Sequence, residues 1–209
     1  MPVIDVWMQH PTLRHSNHEM FESLRRWTGR GLLEEPVPVE ATVAAMAAAD
    51  VEIGLSAAWY GPQGSLIGND EVAEFVAESE GRLRGVAGVD LTRPVQAVRE
   101  LRRAVEELGF VALRVVPWLW GLPPTDRLYY PLYAACVDLG IPFCTQVGHT
   151  GPLRPSETGR PILWGSNNRR SWSSGIAVLV DHAAEDAGTQ DSSAGWFQDR
   201  RWLLVGLGR

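Results

Sequence analysis

Residues 94–150 read PVQAVRELRRAVEELGFVALRVVPWLWGLPPTDRLYYPLYAACVDLGIPFCTQVGHT and carry the clearest structural pattern of the chain. It contains a helix, a loop and a strand twice over, and each helix pattern ends on Leu-Gly, at Gly109 and at Gly140. Glycine there favours the left-handed conformation that ends a helix. The apolar, β-branched runs that follow, 110–116 and 141–147, are typical of strands buried on both faces of a parallel sheet. The stretch therefore predicts consecutive turns of a (β/α) barrel.

The preceding sequence repeats this alternation of strands and helices. The predicted strands are Val3–Trp7, Val51–Ala58 and Leu83–Val89, and the predicted helices lie near His18–Thr28, Val39–Ala49 and Glu71–Ser79. After the first, the strands start about every 30 residues, which is the length of a βαβ repeat. The alternation allows a barrel or an open doubly wound sheet, but no Gly-x-Gly-x-x-Gly or Walker-type loop follows the first strand to support a nucleotide-binding sheet. We predict one α/β domain over residues 1–209, a TIM-type barrel that is incomplete, with about six or seven strands.

Composition favours a single soluble domain. The chain has 209 residues, of which 45% are hydrophobic, and a net charge of −6. This is enough apolar material for a core, and the net acidity argues against a nucleic-acid partner. No apolar run approaches membrane-spanning length and the N-terminus does not resemble a signal peptide, so we expect a cytoplasmic protein with no membrane partner.

The inventory of reactive side chains narrows the chemistry. All 19 residues counted as Lys+Arg are arginine, which excludes a Schiff-base lysine and a carbamylated-lysine metal bridge. Cys136 lies on an apolar helix face and Cys144 in a core strand, so both are predicted to be buried, reduced thiols. No Gly-x-Ser-x-Gly elbow is present. Carboxylates and histidines, with or without a metal ion, are left to carry any reaction.

Polar and aromatic residues collect where the predicted strands end, which is where barrel enzymes place their reacting groups. These residues are Trp7, Gln9, His10, Trp59, Tyr60, Asp90, Arg114, Trp118, Gln146 and His149. Large rings with few polar groups suit a planar or aromatic carboxylate, with Arg114 as the group that binds the anion. The alternative is that the tryptophans fill the core and Arg114 pairs with a structural carboxylate. His15 and His18 fall in a polar insert and are expected at the surface or at a helix cap, although the insert could bring one of them over the barrel mouth.

These residues resemble a family, the amidohydrolase-related metal-dependent barrels that include aminocarboxymuconate-semialdehyde decarboxylase and resorcylate decarboxylase. The resemblance covers residues 1–162 and rests on five pieces: IDVWMQHP at 4–11, Asp90, LRVVPW at 113–118, PLY at 131–133 and QVGH at 146–149. The family usually opens with Asp-x-His-x-His, whose histidines bind a divalent metal, typically zinc. Here Trp7 and Gln9 occupy those positions, and neither is a good zinc ligand. The resemblance implies zinc held by His149, with His10 as the nearest second imidazole, and an incomplete ligand set.

Residues 163–209 form an atypical C-terminal segment that is truncated or altered relative to the family pattern. Residues 176–182 are predicted to be a sixth strand carrying His182, and an amphipathic helix over 175–187 is the competing interpretation. Residues 201–206 could add one further strand. An incomplete barrel leaves an open sheet edge, so we expect a homo-oligomer in which a partner chain or the tail covers it.

The resemblance implies an enzyme, a hydrolase or a decarboxylase, acting on a small carboxylated or cyclic molecule. Histidine titrates near neutrality and suits proton transfer to or from carbon. The implied catalytic residues are His182 as acid/base and His149 on the metal or substrate, and the implied substrate-binding residues are Gln9, Trp59, Arg114 and Trp118. The alternative is a non-catalytic or truncated relative with a degenerate metal site. An unrelated aldolase or isomerase barrel is less favoured, because lysine and a C-terminal phosphate-binding loop are missing.

Overall fold

The structure is a computed structural model that describes residues 3–147 and 175–179. The strands are β1 (Val3–Asp5), β2 (Val51–Ala57), β3 (Trp59–Gly61), β4 (Gly64–Ile67), β5 (Leu83–Ala87), β6 (Ala112–Val115), β7 (Phe143–Val147) and β8 (Gly175–Leu179). The helices are α1 (Leu13–Ser16), α2 (Glu22–Thr28), α3 (Val39–Ala48), α4 (Asn69–Glu78), α5 (Pro94–Glu106), α6 (Pro117–Trp120) and α7 (Tyr130–Leu139), with 3-10 turns at Glu19–Phe21 and Arg127–Tyr129.

Five of the strands form a parallel sheet in the order β1-β2-β5-β6-β7. The order of these five strands in the sheet is their order in the chain, and helices lie in the connections between them. This is the arrangement of the wall of a (β/α) barrel. In the described residues the sheet curls into a half-barrel, which confirms the predicted TIM-type (β/α) fold. In the described residues no helix combines the length and apolarity needed to cross a bilayer.

The last described strand differs from the prediction in direction. Residues 175–179 are a strand, as expected, and not the competing helix. However, β8 pairs antiparallel to β7, from Phe143 opposite Leu179 to Val147 opposite Gly175. The predicted sixth strand is therefore present, but it runs antiparallel to β7 and not parallel to it as in a (β/α) barrel. His182 lies outside the described residues.

The helix ends follow the local sequence signals. Pro94 is the first residue of α5, where its missing N–H costs no hydrogen bond. Gly140 ends α7 with φ 64°, and its N–H bonds to the carbonyl groups of Cys136 and Val137. Gly109 also has a positive φ of 70°. These left-handed positions confirm the two predicted helix ends, because a side chain would be strained there.

The sheet has two differently packed faces. Leu113, Val115 and Phe143 point to the large outer core beneath the helices. Ala112 and Cys144 belong to a smaller inner cluster that includes residues of β2 and β5. Since side chains alternate along a strand, and Arg114 is in register with Cys144, Arg114 lies on this inner face.

Both cysteines are buried and free, as predicted. Burial raises the pKa of the Cys136 and Cys144 thiols to about 12, so both are protonated at neutral pH.

Two local elements were not predicted. Trp59–Gly61 and Gly64–Ile67 form an antiparallel hairpin that follows β2 directly, and Pro117–Trp120 forms one helical turn after β6. Both follow strands at the carboxyl end of the sheet. They place Trp59 on the hairpin and Trp118 in the helical turn, both at the carboxyl end of the sheet.

Candidate functional site

Arg114 is the centre of a polar and aromatic cluster on the inner face of the half-barrel. Its side chain is 4% exposed. The guanidinium carbon lies 4.6 Å from the centre of the Trp7 ring and 5.3 Å from the centre of the Trp59 ring. Both distances are within the range for cation–π attraction. Two aromatic faces therefore hold the cation in a fixed place.

Gln9 joins these residues through a single oxygen atom. Its Oε1 accepts a 2.7 Å hydrogen bond from Nη2 of Arg114 and a 2.6 Å hydrogen bond from Nε1 of Trp59. Two donors on one oxygen fix the orientation of the amide and direct its NH2 group away from the arginine. Gln9 is thus a positioning group for both the guanidinium and the indole.

The charge of Arg114 is not balanced by a carboxylate in the described part of the chain. In the described residues its Nη2 atom donates a hydrogen bond to Gln9, and its buried Nε atom has no hydrogen-bond partner. Burial lowers the pKa of Arg114 to about 10, and the electrostatic effects of Cys144 and Asp5 act in the opposite direction. The group stays protonated at neutral pH, so a buried cation with an unused Nε donor lies on the inner face of the half-barrel.

His15 joins the cluster from the first connection. Its ring lies 4.5 Å from Trp59 and 4.9 Å from Phe21, measured between ring centres, and it is 8% exposed. Burial, followed by the charges of Arg114 and His18, lowers its pKa to about 4, so the imidazole is neutral at pH 7. Its Nε2 atom is buried without a hydrogen bond.

The expectation that His15 is a surface residue is therefore wrong, and the insert does bring it to the barrel mouth. The sequence signal for a helix in this insert is Thr12. It is the N-cap of α1, and its side chain accepts a hydrogen bond from the His15 N–H. His18 caps the next turn through a bond from Met20 N to its Nδ1, as expected for a helix-capping residue.

A second tryptophan–glutamine pair lies beside the first. Trp118 donates a 2.6 Å hydrogen bond from Nε1 to Oε1 of Gln146 on β7. The rings of Trp118 and Trp59 are 6.3 Å apart in an edge-on arrangement. Gln9, Trp59, Arg114 and Trp118, the four predicted substrate-binding residues, are thus brought together.

His10 is oriented towards the helices. Its Nδ1 lies 2.8 Å from Oγ1 of Thr42 on α3, and its ring packs 4.4 Å from the ring of Phe75 on α4. Burial lowers its pKa. These contacts account for its burial without a metal ion. His149 and His182, the other two predicted site histidines, lie outside the described residues.

The described residues do not fit a metal ion at the end of the first strand. Trp7 has no lone pair to offer, and the amide oxygen of Gln9 already accepts from two donors. Within residues 3–147 and 175–179, no group of three or more His, Cys, Asp and Glu side chains could hold a metal. The guanidinium of Arg114 would also repel a cation placed there.

The family model described as Amidohydrolase matches residues 10–203. The chain belongs to the amidohydrolase family. The predicted resemblance is therefore confirmed, and the half-barrel corresponds to part of the fold of this family.

One curated protein and two solved structures show how far the similarity extends. The chain is 43% identical over 65 residues to gamma-resorcylate decarboxylase of Polaromonas sp. strain JS666, which covers 31% of this chain and 19% of that protein. A solved TIM-barrel protein of Bordetella bronchiseptica superposes with a TM-score of 0.54 at 23% identity, over 68% of this chain and 54% of the other.

The second solved structure is 5-carboxyvanillate decarboxylase of Novosphingobium aromaticivorans, solved as the D314N mutant with bound manganese and 3-methoxy-4-hydroxy-5-nitrobenzoic acid. It superposes with a TM-score of 0.54 at 18% identity, over 68% of this chain and 49% of the other. The chain thus spans about half the length of these solved structures, and less of the curated decarboxylase. At these identities the structural similarity establishes the fold.

Proposed function

We propose that this amidohydrolase-family protein is an enzyme, a carboxy-lyase or a hydrolase, that acts on a small carboxylated or cyclic substrate. The observation that carries the proposal is the buried guanidinium of Arg114, which lies between two tryptophan rings without a carboxylate partner in the described residues. A buried, unpaired cation is costly to keep unless an anion uses it. The similarity to a gamma-resorcylate decarboxylase supports a planar aromatic carboxylate as that anion.

Each residue of the cluster has a separate role in this proposal. Arg114 binds the carboxylate, and Gln9 holds the guanidinium in place. Trp59 and Trp118 form walls against which a flat ring packs, since aromatic pairs favour offset or edge-on contacts. His15 is neutral, so it can share a hydrogen bond with a hydroxyl group without adding charge.

The predicted catalytic histidines complete the proposal. His182 would exchange a proton with a substrate carbon, because histidine titrates near neutral pH. His149 would hold the substrate or a metal ion. Zinc bound by His149 and His10 stays our prediction for a metal, although the described residues at the end of the first strand do not fit one. Elemental analysis of the purified chain measures the metal directly.

Turnover of 2,6-dihydroxybenzoate tests the function. The full chain is incubated with this acid and with other hydroxybenzoates, and carbon dioxide release and loss of the carboxylate are followed by chromatography. We expect turnover that is lost in Arg114→Met and kept in Arg102→Met, a surface arginine on α5. Binding without turnover would favour the second candidate, a non-catalytic relative with a degenerate metal site, which the residues at positions 7 and 9 support. Neither binding nor turnover of any acid would contradict the proposal.

We also propose a cytoplasmic homo-oligomer. The strand β1 pairs with β2 on one side, and within the described residues nothing pairs with its other edge. Val3 on this strand is 50% exposed. An exposed parallel edge favours association. Light scattering of the purified chain measures its mass, and a monomer at all concentrations would contradict this assignment.

A further inference from the structure

Trp7 and Gln9 share one contact, the guanidinium of Arg114. The ring of Trp7 lies 4.6 Å from the guanidinium carbon, and Oε1 of Gln9 accepts from Nη2 at 2.7 Å. These are the two positions at which the family resemblance implies metal-binding histidines. In this chain both side chains therefore contact a cation, but that cation is the guanidinium of Arg114 and not a metal ion.

The described residues supply no anion to the guanidinium of Arg114. Its Nε atom is buried and without a partner, although the neighbouring Nη2 atom is well bonded. Trp7 and Trp59 supply attraction to the charge but no anion. A planar guanidinium presents paired N–H donors that match a carboxylate, which accepts two parallel hydrogen bonds, and the Nε donor of Arg114 is unused.

We infer that Arg114 takes the place of the metal ion at the first strand, so that this chain binds the carboxylate of its substrate without a metal. The inference rests on the proposed function, because it concerns the same site and the same class of substrate. The ligand class is a small aromatic monocarboxylate, with the carboxylate on the guanidinium and the ring between the tryptophan faces. Gln9 is a positioning residue that acts through Arg114.

Isothermal titration of the full chain with benzoate and with 2,6-dihydroxybenzoate tests the inference. The protein is stripped with a chelator and dialysed, and one half of it is then supplied with manganese or zinc. We expect the dissociation constant of the metal-free protein to stay within about threefold of that of the metal-supplied protein. Binding that needs manganese or zinc would overturn the inference and leave the proposed function standing. No binding with or without metal would count against both.

Variants separate the role of the charge from the role of the fold. Arg114→Met is expected to weaken binding at least about 30-fold, as for truncation of a buried charge pair. Arg114→Lys keeps the charge but loses the planar fork, and is expected to bind with intermediate affinity. Arg102→Met is the matched surface control and should bind as the parent does. Circular dichroism checks the fold of each variant. Undiminished binding by folded Arg114→Met would overturn the assignment. So would an affinity of Arg114→Lys as low as that of Arg114→Met.

Gln9→Glu gives a second measurement that does not depend on removing the arginine. A carboxylate at position 9 would pair with the guanidinium and neutralise it from within. The titration should then show benzoate binding weakened to the level of Arg114→Met, in a protein that is at least as stable. Unchanged benzoate affinity in Gln9→Glu would show that the anion binds elsewhere.

Discussion

Replacing Arg114 by methionine should stabilise the ligand-free protein. The pKa of Arg114 falls from its ordinary value of 12.5 to about 10 in the folded chain, mainly through burial. At ~1.4 kcal/mol for each pKa unit, folding disfavours the charged form by about 3 kcal/mol. Both pKa values lie above neutral pH, so the group is charged in the folded and unfolded states at pH 7 and the whole cost is present there.

The net gain is smaller than this cost, because methionine also loses favourable contacts. The hydrogen bond to Gln9 is worth about 1 kcal/mol and the two ring contacts contribute about as much again. We therefore expect the free energy of unfolding to rise by about 1 kcal/mol. For a chain of this size that raises Tm by about 2–4 °C.

Urea unfolding at pH 7, with and without benzoate, measures both halves of the prediction. Without ligand, Arg114→Met should unfold at a higher urea concentration than the parent. With benzoate at about 100 times the parent's dissociation constant, the parent should gain about 2.7 kcal/mol and the variant, with its affinity at least about 30-fold weaker, less than about 1 kcal/mol. Arg102→Met should change neither value by more than about 0.5 kcal/mol, because exposed ion pairs contribute little. A ligand-free Arg114→Met less stable than the parent by more than about 1 kcal/mol would show that the guanidinium already has an effective partner.

Three further predictions concern other parts of the structure. His15 has a pKa of about 4 in the folded state, below its usual 6.5, so the stability from its neutral form is complete above pH 6.5 and lost as the pH falls through 4. His15→Phe should flatten the urea-derived stability over that window, and an unchanged slope would refute the burial of this imidazole. Cys136 and Cys144 should not react with a thiol reagent in the native protein, and reaction at the rate of a free thiol would contradict their burial. Asn69→Ala should cost about 2–4 kcal/mol in urea unfolding, because Asn69 bonds to both backbone groups of Gly88, and a loss below about 1 kcal/mol would refute that role.

The regular part of the fold could be predicted from residue patterns. Pro94, Gly109 and Gly140 mark helix ends through backbone geometry alone, which needs no tertiary information. The hairpin after β2 could not be predicted in this way. Trp59 continues the apolar run of β2, and its separation into a new strand depends on pairing with Ile67, eight residues further along the chain.

The site was predictable to the extent that strand ends converge. Gln9 and Arg114 are far apart in sequence, but their strands end at the same edge of the half-barrel, so their contact follows from the topology. Direction and partners within the site were less accessible. His10 and His15 are both buried imidazoles, yet one faces Thr42 and the other Trp59, and this choice is made by side-chain packing that no sequence spacing encodes.

Trp7, Gln9 and Arg114 act as one unit, so histidines at positions 7 and 9 should not restore a metal site while Arg114 is present. A divalent ion near the position of the Trp7 ring would lie about 5 Å from the guanidinium carbon, and their repulsion is about 7 kcal/mol at an effective dielectric constant of ~20. That is about 10⁵-fold in affinity. Elemental analysis after dialysis against manganese or zinc should therefore find no added metal in Trp7→His/Gln9→His, and added metal once Arg114→Met is combined with it. Metal uptake by the double variant with Arg114 in place would contradict this reasoning. It would show that the two histidines bind the ion where the repulsion from the guanidinium is too weak to prevent binding.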